Sequence, residues 1–429
     1  MKRLIAVLTA TALTTTGIYA QQQQQQLQPY RTPAQKLILT SEDSLNSNTA
    51  KNKTVISGYG SAIYQRDFKQ HQATITLDRL VLFVGHSFNE KISLFTELEV
   101  ENAIVAGANS DEPNSGRGSV AMEQAFLKFN LNARQYLVAG LFTPRLGITN
   151  ENHLPVNFNG TERPIVEQLI IPTTWREIGV GLYGTLDRLP LNYSIAIMNG
   201  LNSANFQHDS GLGEGEGLGS NASANNLAIT ASVQYRVSDF KFQLAGYMGG
   251  TVGLSKRSAD SLNVGLQTGA FGTPLYLGEF DVQYAHNGFS AKALGTYIAY
   301  PDADKIYRAY AKSIGSGMYG AYLELAYDWL HHLGTPKQFI TFARAEMLDL
   351  NSQLPSLQKS EDQYDGTLKQ RHIIAGISYF PIPNVVVKAD VRLLHTGAQN
   401  PALVINPPPN ALPYQQNQQF LNIGFGYSF

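Results

Sequence analysis

The feature that most restricts this chain is a period-two alternation of apolar and polar side chains that recurs in stretch after stretch. In LNIGFGYSF, at the end of the chain, Leu421, Ile423, Phe425, Tyr427 and Phe429 share one face of an extended strand, opposite Asn422, Gly424, Gly426 and Ser428. ISLFTELEVE sets Ile92, Leu94, Thr96, Leu98 and Val100 against Ser93, Phe95, Glu97, Glu99 and Glu101. YLELAYDW opposes Leu323, Leu325, Tyr327 and Trp329 to Tyr322, Glu324 and Asp328, and VVVKADVRL opposes Val385, Val387, Ala389 and Val391 to Lys388, Asp390 and Arg392. Three carboxylates on one face of a strand otherwise so apolar call for water on that side and an apolar medium on the other. No run of about 18 apolar residues occurs, which excludes helical membrane spans. Lipid cannot satisfy exposed backbone N–H and C=O groups, so the other way to span a bilayer is a closed β-barrel.

About sixteen such stretches can be marked, from residues 55–66 to 418–429, including 91–105 and 134–147; an even number of this size is in the porin range. Their connections alternate in length. Tight turns at 88–91, 132–134, 238–240, 286–288 and 380–384 follow even-numbered strands, and long connections at 106–118, 201–225, 254–273, 301–316, 351–368 and 397–417 follow odd ones. Short turns at one end and long loops at the other are expected of an outer-membrane barrel, whereas a soluble β-sandwich has no reason to collect its long loops on one side.

Residues 1–20 combine Lys2 and Arg3, an apolar run from Leu4 and a small residue at Ala20, the pattern of a secretory signal peptide. Residues 21–54, opening on six glutamines and rich in Gln, Ser, Asn and Thr, are expected to be a mobile periplasmic tail. Residues 55–429 then form one transmembrane barrel domain, since neither a repeat period nor an internal linker divides them. Thirty-two Lys and Arg against 33 Asp and Glu give no argument for a nucleic-acid partner, and the absence of Cys excludes disulfides.

Residues 148–174 join two strands, YLVAGLFTPRLG and WREIGVGLYG, without a helical period, and a connection of that length is normally functional. It mixes Leu154, Val156, Phe158, Ile165, Val166, Leu169, Ile170 and Ile171 with Glu151, His153, Glu162, Arg163 and Glu167, so part of it should pack on something. The expected place is the inner wall of the barrel, where the loop would narrow the pore. Arg145, Glu151, Glu162, Arg163, Glu167 and Arg176 would then carry the charge of the constriction, although Arg163 or Arg176 could equally bridge loop to wall, and Arg176 could sit at the outer rim.

With those strands in hand, the chain resembles the phosphate-selective porin O and P family in its Bacteroidetes branch. The residues that carry the resemblance are GLFTPRLG (140–147) with ERP (162–164), WREIGVGLYG (175–184), GISYFPIPNVVVKADV (376–391) and the aromatic C-terminus. The resemblance implies a sixteen-stranded trimeric channel in the outer membrane whose third outer loop narrows the pore. By resemblance to other barrels, Phe429 would present the terminal aromatic recognised by the assembly machinery.

Anion selectivity does not follow from the family alone, because phosphate recognition needs Lys and Arg concentrated in the pore. Strand parity places Glu97, Glu99, Glu101, Glu279, Asp281, Glu324, Asp328, Glu346 and Asp390 inside, against Arg79, Lys128, Arg145, Arg236, Lys241, Lys292, Arg344, Lys388 and Arg392. The signs balance. A mixed lumen suits passive diffusion of small hydrophilic solutes and ions, with a substrate-selective or anion-selective channel as the alternative.

No cofactor and no catalytic residue is indicated. His153, His208 and His395 are scattered over different segments, and no G-x-S-x-G occurs, so the convergence a hydrolase needs is absent from the pattern. No metal site is expected either: Glu97, Glu99 and Glu101 lie about 7 Å apart along one strand face, too far to share one small ion easily, and read as hydrated wall carboxylates. His331 and His332 lie in a turn without a second ligand at metal spacing.

Overall fold

In the computed structural model the alternation becomes a closed ring of antiparallel strands in which each pairs with its neighbours in sequence and the first pairs with the last. The structure describes residues 29–39, 52–101, 119–186, 189–207, 211–219, 222–355, 366–401 and 413–429. The expected signal peptide, the glutamine tract, His208 and residues 102–118, 356–365 and 402–412 of the long connections lie outside them.

The strands are β1 (Lys53–Asp67), β2 (Gln72–Ser87), β3 (Ile92–Glu101), β4 (Ser119–Asn130), β5 (Gln135–Phe142), β6 (Glu177–Thr185), β7 (Leu191–Asn199), β8 (Leu227–Val237), β9 (Phe240–Gly250), β10 (Pro274–His286), β11 (Phe289–Ala299), β12 (Gly317–Asp328), β13 (Gln338–Gln353), β14 (Lys369–Ile382), β15 (Val385–Thr396) and β16 (Asn417–Ser428). The ring closes through β1 and β16, and beyond the last ladder residue Gly58 and Phe429 exchange both backbone hydrogen bonds at 2.9 Å. Outward faces are apolar and uncovered, as Leu244, Phe280, Leu323, Val391 and Phe425 show, while Glu324, Asp390 and Asn422 of the facing parity are buried inside.

The tight turns fall at the end of the barrel that also holds the start of β1 and the end of β16, and the long connections at the other. Residues 68–71 are the exception: this odd connection is tight, because Asp67 Oδ1 accepts from the backbone N–H of Lys69 (2.7 Å) and Gln70 (3.1 Å) and closes the turn locally. Strand β5 stops at Phe142, short of the expected Gly147. Pro144 has no N–H to give a ladder, and the chain leaves the wall there.

The expected mobile tail is corrected over residues 29–39. Helix α1 (Pro33–Leu39) packs inside the ring against β1, β2 and β3, with Ala34 and Ile38 buried. Its start is a capping box: Thr32 N–H donates to Gln35 Oε1 at 2.9 Å, and Gln35 N–H faces Thr32 Oγ1 at 3.5 Å, with Pro33 at the first helical position. The Ala34 N–H donates to Ser57 Oγ (3.1 Å) and the Lys128 ammonium to the Ile38 carbonyl (2.5 Å). The inner wall beneath α1 is accordingly apolar rather than wet. Tyr59, Phe83, Phe95 and Phe126 form a row with neighbouring ring centroids 5.4–5.6 Å apart.

Candidate functional site

The loop between β5 and β6 starts and ends on one side chain. Asn150 donates from Nδ2 to the Pro144 carbonyl (2.9 Å) and the Trp175 carbonyl (3.3 Å), and its Oδ1 accepts from Trp175 N–H (2.8 Å), so both roots of the loop are held together. A second brace is Glu167, in the short helix α2 (Val166–Leu169). Its carboxyl accepts from Ile148 N–H (2.8 Å), Thr149 N–H (2.7 Å), Thr149 Oγ1 (2.8 Å) and the Tyr322 hydroxyl of β12 (2.6 Å). Burial pushes this carboxyl above its ordinary range, against those hydrogen bonds.

A loop of this length has backbone groups with no ladder to join, and each needs a partner once buried. The wall supplies them from charged side chains. Lys292 donates to the Asn157 carbonyl (3.3 Å), Lys388 to the Phe158 carbonyl (2.7 Å) and Arg344 to the Asn159 carbonyl (3.2 Å). Asp390 accepts from Thr161 N–H (2.7 Å) and Oγ1 (2.8 Å), Glu346 from Val166 N–H (3.1 Å) and Glu324 from Asn159 Nδ2 (2.9 Å). Gln243 donates to the Gly147 carbonyl (3.0 Å), and the Gly147 N–H faces Glu279 at 3.4 Å. Wall glycines admit the close approach: a Cβ on Gly320 would lie 2.6 Å from Val166 Cγ1, and one on Gly426 2.4 Å from Pro155 Cβ.

These contacts correct the expectation that the parity-inward charges face water. Glu97, Glu99, Lys128, Glu279, Asp281, Glu324, Arg344, Glu346, Lys388 and Asp390 are all buried. Arg344 is shared between Glu324 (3.0 Å) and Glu346 (2.7 Å). Arg79 and Arg392 are better exposed, Arg79 reaching Glu99 (3.3 Å) and Glu101 (3.8 Å) and Arg392 pairing with Glu162.

The six residues expected at the constriction separate into groups. Arg145 pairs with Glu151 (2.8 Å), and both line a cavity between α1, the loop and the wall. Arg163 is buried and bonds the Thr173 carbonyl (3.1 Å) within its own loop, so it neither faces water nor bridges to the wall with an ion pair. Glu167 is fully buried as described, not water-facing. Arg176, the residue before β6, lies 3.7 Å from the buried Glu123. The charged residues around the cavity are Arg31, Arg145, Arg236 and Lys241, with Glu151 as the carboxylate.

The separately spaced Glu97 is also brought into a group that parity did not show. Opposite Glu97 and Leu98 the register of β4 slips, Glu97 pairing with Gln124 and Leu98 with Met122. The residue passed over is Glu123, which the bulge turns inward instead of outward. It joins Glu97 and the loop residue His153, all three buried, with one ligating atom of each within 4.8 Å of the others. His331 and His332 stay in a partly exposed turn after β12.

No protein-family model matches the sequence. The fold is that of solved outer-membrane barrels: OmpF of Salmonella typhi superimposes with a TM-score of 0.52 at 11% identity, over 88% of this chain and 98% of that one. The outer membrane channel DcaP of Acinetobacter baumannii gives 0.51 at 12% identity, over 90% and 99%. In sequence, an uncharacterized protein of Aquifex aeolicus is 30% identical over 348 residues, which are 78% of this chain and 74% of that protein. On that identity and coverage, the chain belongs to one family with the Aquifex aeolicus protein.

Proposed function

We propose that the protein is an outer-membrane porin through which small hydrophilic solutes and ions diffuse passively. The observation that carries this reading is a closed ring with an uncovered apolar exterior, a polar interior and a long loop stitched across its inner wall. Such an exterior needs lipid or detergent as its solvent. The loop is the constriction, and solutes pass through the cavity beside it. One further part of the reading comes from the sequence, an exported chain whose signal peptide ends near residue 20, and two come from resemblance, a trimeric assembly and Phe429 as the insertion signal.

The cavity favours a refinement toward anions. The charged residues lining the cavity are Arg31, Arg145, Arg236 and Lys241 against Glu151, which pairs with Arg145. A positive lining selects anions, which keeps a phosphate-type solute open as the alternative to general diffusion. The test is reversal potential under a salt gradient in planar bilayers. An ohmic, anion-favouring current is expected, and Arg145→Glu with Lys241→Glu should move the preference toward cations with conductance changed by less than roughly a factor of two. No channel current from folded protein would overturn the porin reading; a cation preference in the parent would overturn only the refinement.

Deleting Phe429 should lower the folded fraction in cells more than the melting point of refolded protein, because it removes the exposed terminal aromatic that would be presented for insertion, while the finished wall loses only the two bonds to Gly58 at its edge. Equal folded fractions in cells for the truncated and parent chains would refute a part for Phe429 in insertion.

A further inference from the structure

We infer that Glu97, Glu123 and His153 form a binding site for one divalent first-row metal ion of the zinc class, joining the loop to the wall. The inference starts from the hydrogen-bond inventory of the three side chains. His153 Nδ1 lies 2.9 Å from the Asn150 carbonyl, which can only accept, so Nδ1 carries a proton and Nε2 is the ring atom turned to the two carboxylates. Glu97 Oε2 accepts from Gln124 (2.5 Å), and Glu123 Oε1 accepts from Thr174 Oγ1. One atom of each residue is therefore fixed by an outer partner, and the remaining three converge: Nε2 lies 3.0 Å from Glu97 Oε1 and 3.8 Å from Glu123 Oε2.

Three acceptors facing one another need a proton or a cation between them, and the Arg176 guanidinium lies 3.7 Å from Glu123 on its other oxygen, Oε1. A proton on Nε2 would serve Glu97 Oε1, but Glu123 Oε2, fully buried, would still have no hydrogen-bond partner. A divalent ion satisfies all three and offsets the charge of two buried carboxylates. The Tyr59 hydroxyl, on a ring 5.9 Å from that of His153, is likewise buried without a partner.

The spacing also fits. Zinc–nitrogen and zinc–oxygen bonds of about 2.0–2.2 Å give tetrahedral edges of about 3.3–3.6 Å, between the two observed separations, and leave a fourth position for water. An imidazole ligand favours zinc, cobalt or nickel over calcium and magnesium, which take oxygen.

The test uses tag-free, full-length chain, stripped with chelator, refolded in detergent and loaded with Zn²⁺ before desalting. Elemental analysis should find about one zinc per chain, Co²⁺ in its place should give the visible bands of a four-coordinate site, and zinc-edge absorption should show one imidazole in the shell. Glu123→Gln and His153→Gln, checked for barrel migration on gels, should each retain about tenfold less zinc. A parent that retains no zinc, or an absorption spectrum without imidazole, overturns the site whether or not the variants fold; retention unchanged in both folded variants overturns it as well.

Discussion

Removing residues 155–167 and rejoining the ends with a short Gly-Ser linker should raise single-channel conductance roughly threefold or more and admit larger neutral solutes, because a sixteen-stranded wall by itself encloses a wide aqueous channel. The barrel should survive the excision. Its ladders do not include the loop, and Glu324, Arg344, Glu346, Lys388 and Asp390, which now hold loop groups, would be hydrated in its place. Planar-bilayer recording and sugar uptake into proteoliposomes are the measurements. Unchanged conductance and an unchanged solute size limit would place the loop outside the conducting path.

A single side chain should reproduce part of that effect. Glu167→Ala removes the acceptor of four donors, two of them backbone N–H groups, and a buried donor left unpaired costs about 1–3 kcal/mol. Water entering beside the shortened side chain recovers some of this, so about 3–5 kcal/mol of loop attachment should be lost. Current flicker and faster proteolysis within residues 148–174 would report it. Tyr322→Phe removes one of the four donors and should cost only about 1 kcal/mol. Equal behaviour of the two variants would mean that Glu167 is not the brace.

The wall was legible in the sequence because what specifies it is local. Alternation such as Leu323, Leu325 against Tyr322, Glu324 is carried within one strand, and turn residues mark its ends. The loop was legible as a span for the same reason, and parity correctly turned Asp390, Lys388 and Glu346 inward. What they meet there was not. Parity states a direction and leaves the partner open, and Asp390 finds Thr161 from a distant part of the chain.

The amino-terminal helix and Glu123 were missed for different reasons. The sequence Thr32-Pro33-Ala34-Gln35 is a helix start, overshadowed by the glutamine-rich composition around it. Glu123 could not have been placed by counting, since one extra residue in β4 reverses the parity of everything on one side of it, and nothing in SVAMEQAF marks where the bulge falls.

The two elements that fill the ring differ in when the growing barrel can receive them. Helix α1 rests on β1, β2 and β3, the strands that follow it directly, and its bond from Ala34 to Ser57 spans 23 positions. The loop's bonds to Asp390 span 229 and those to Glu346 span 180, so they must wait for β13 and β15, near the end of the chain. Closing so long a stretch carries the larger entropic cost and is met late. Tyr30 and Asn157, which exchange two hydrogen bonds at 2.7 and 3.0 Å, then connect an early-docking piece to a late one. The order of the strands along the chain thus makes the amino-terminal helix a floor already laid when the loop arrives.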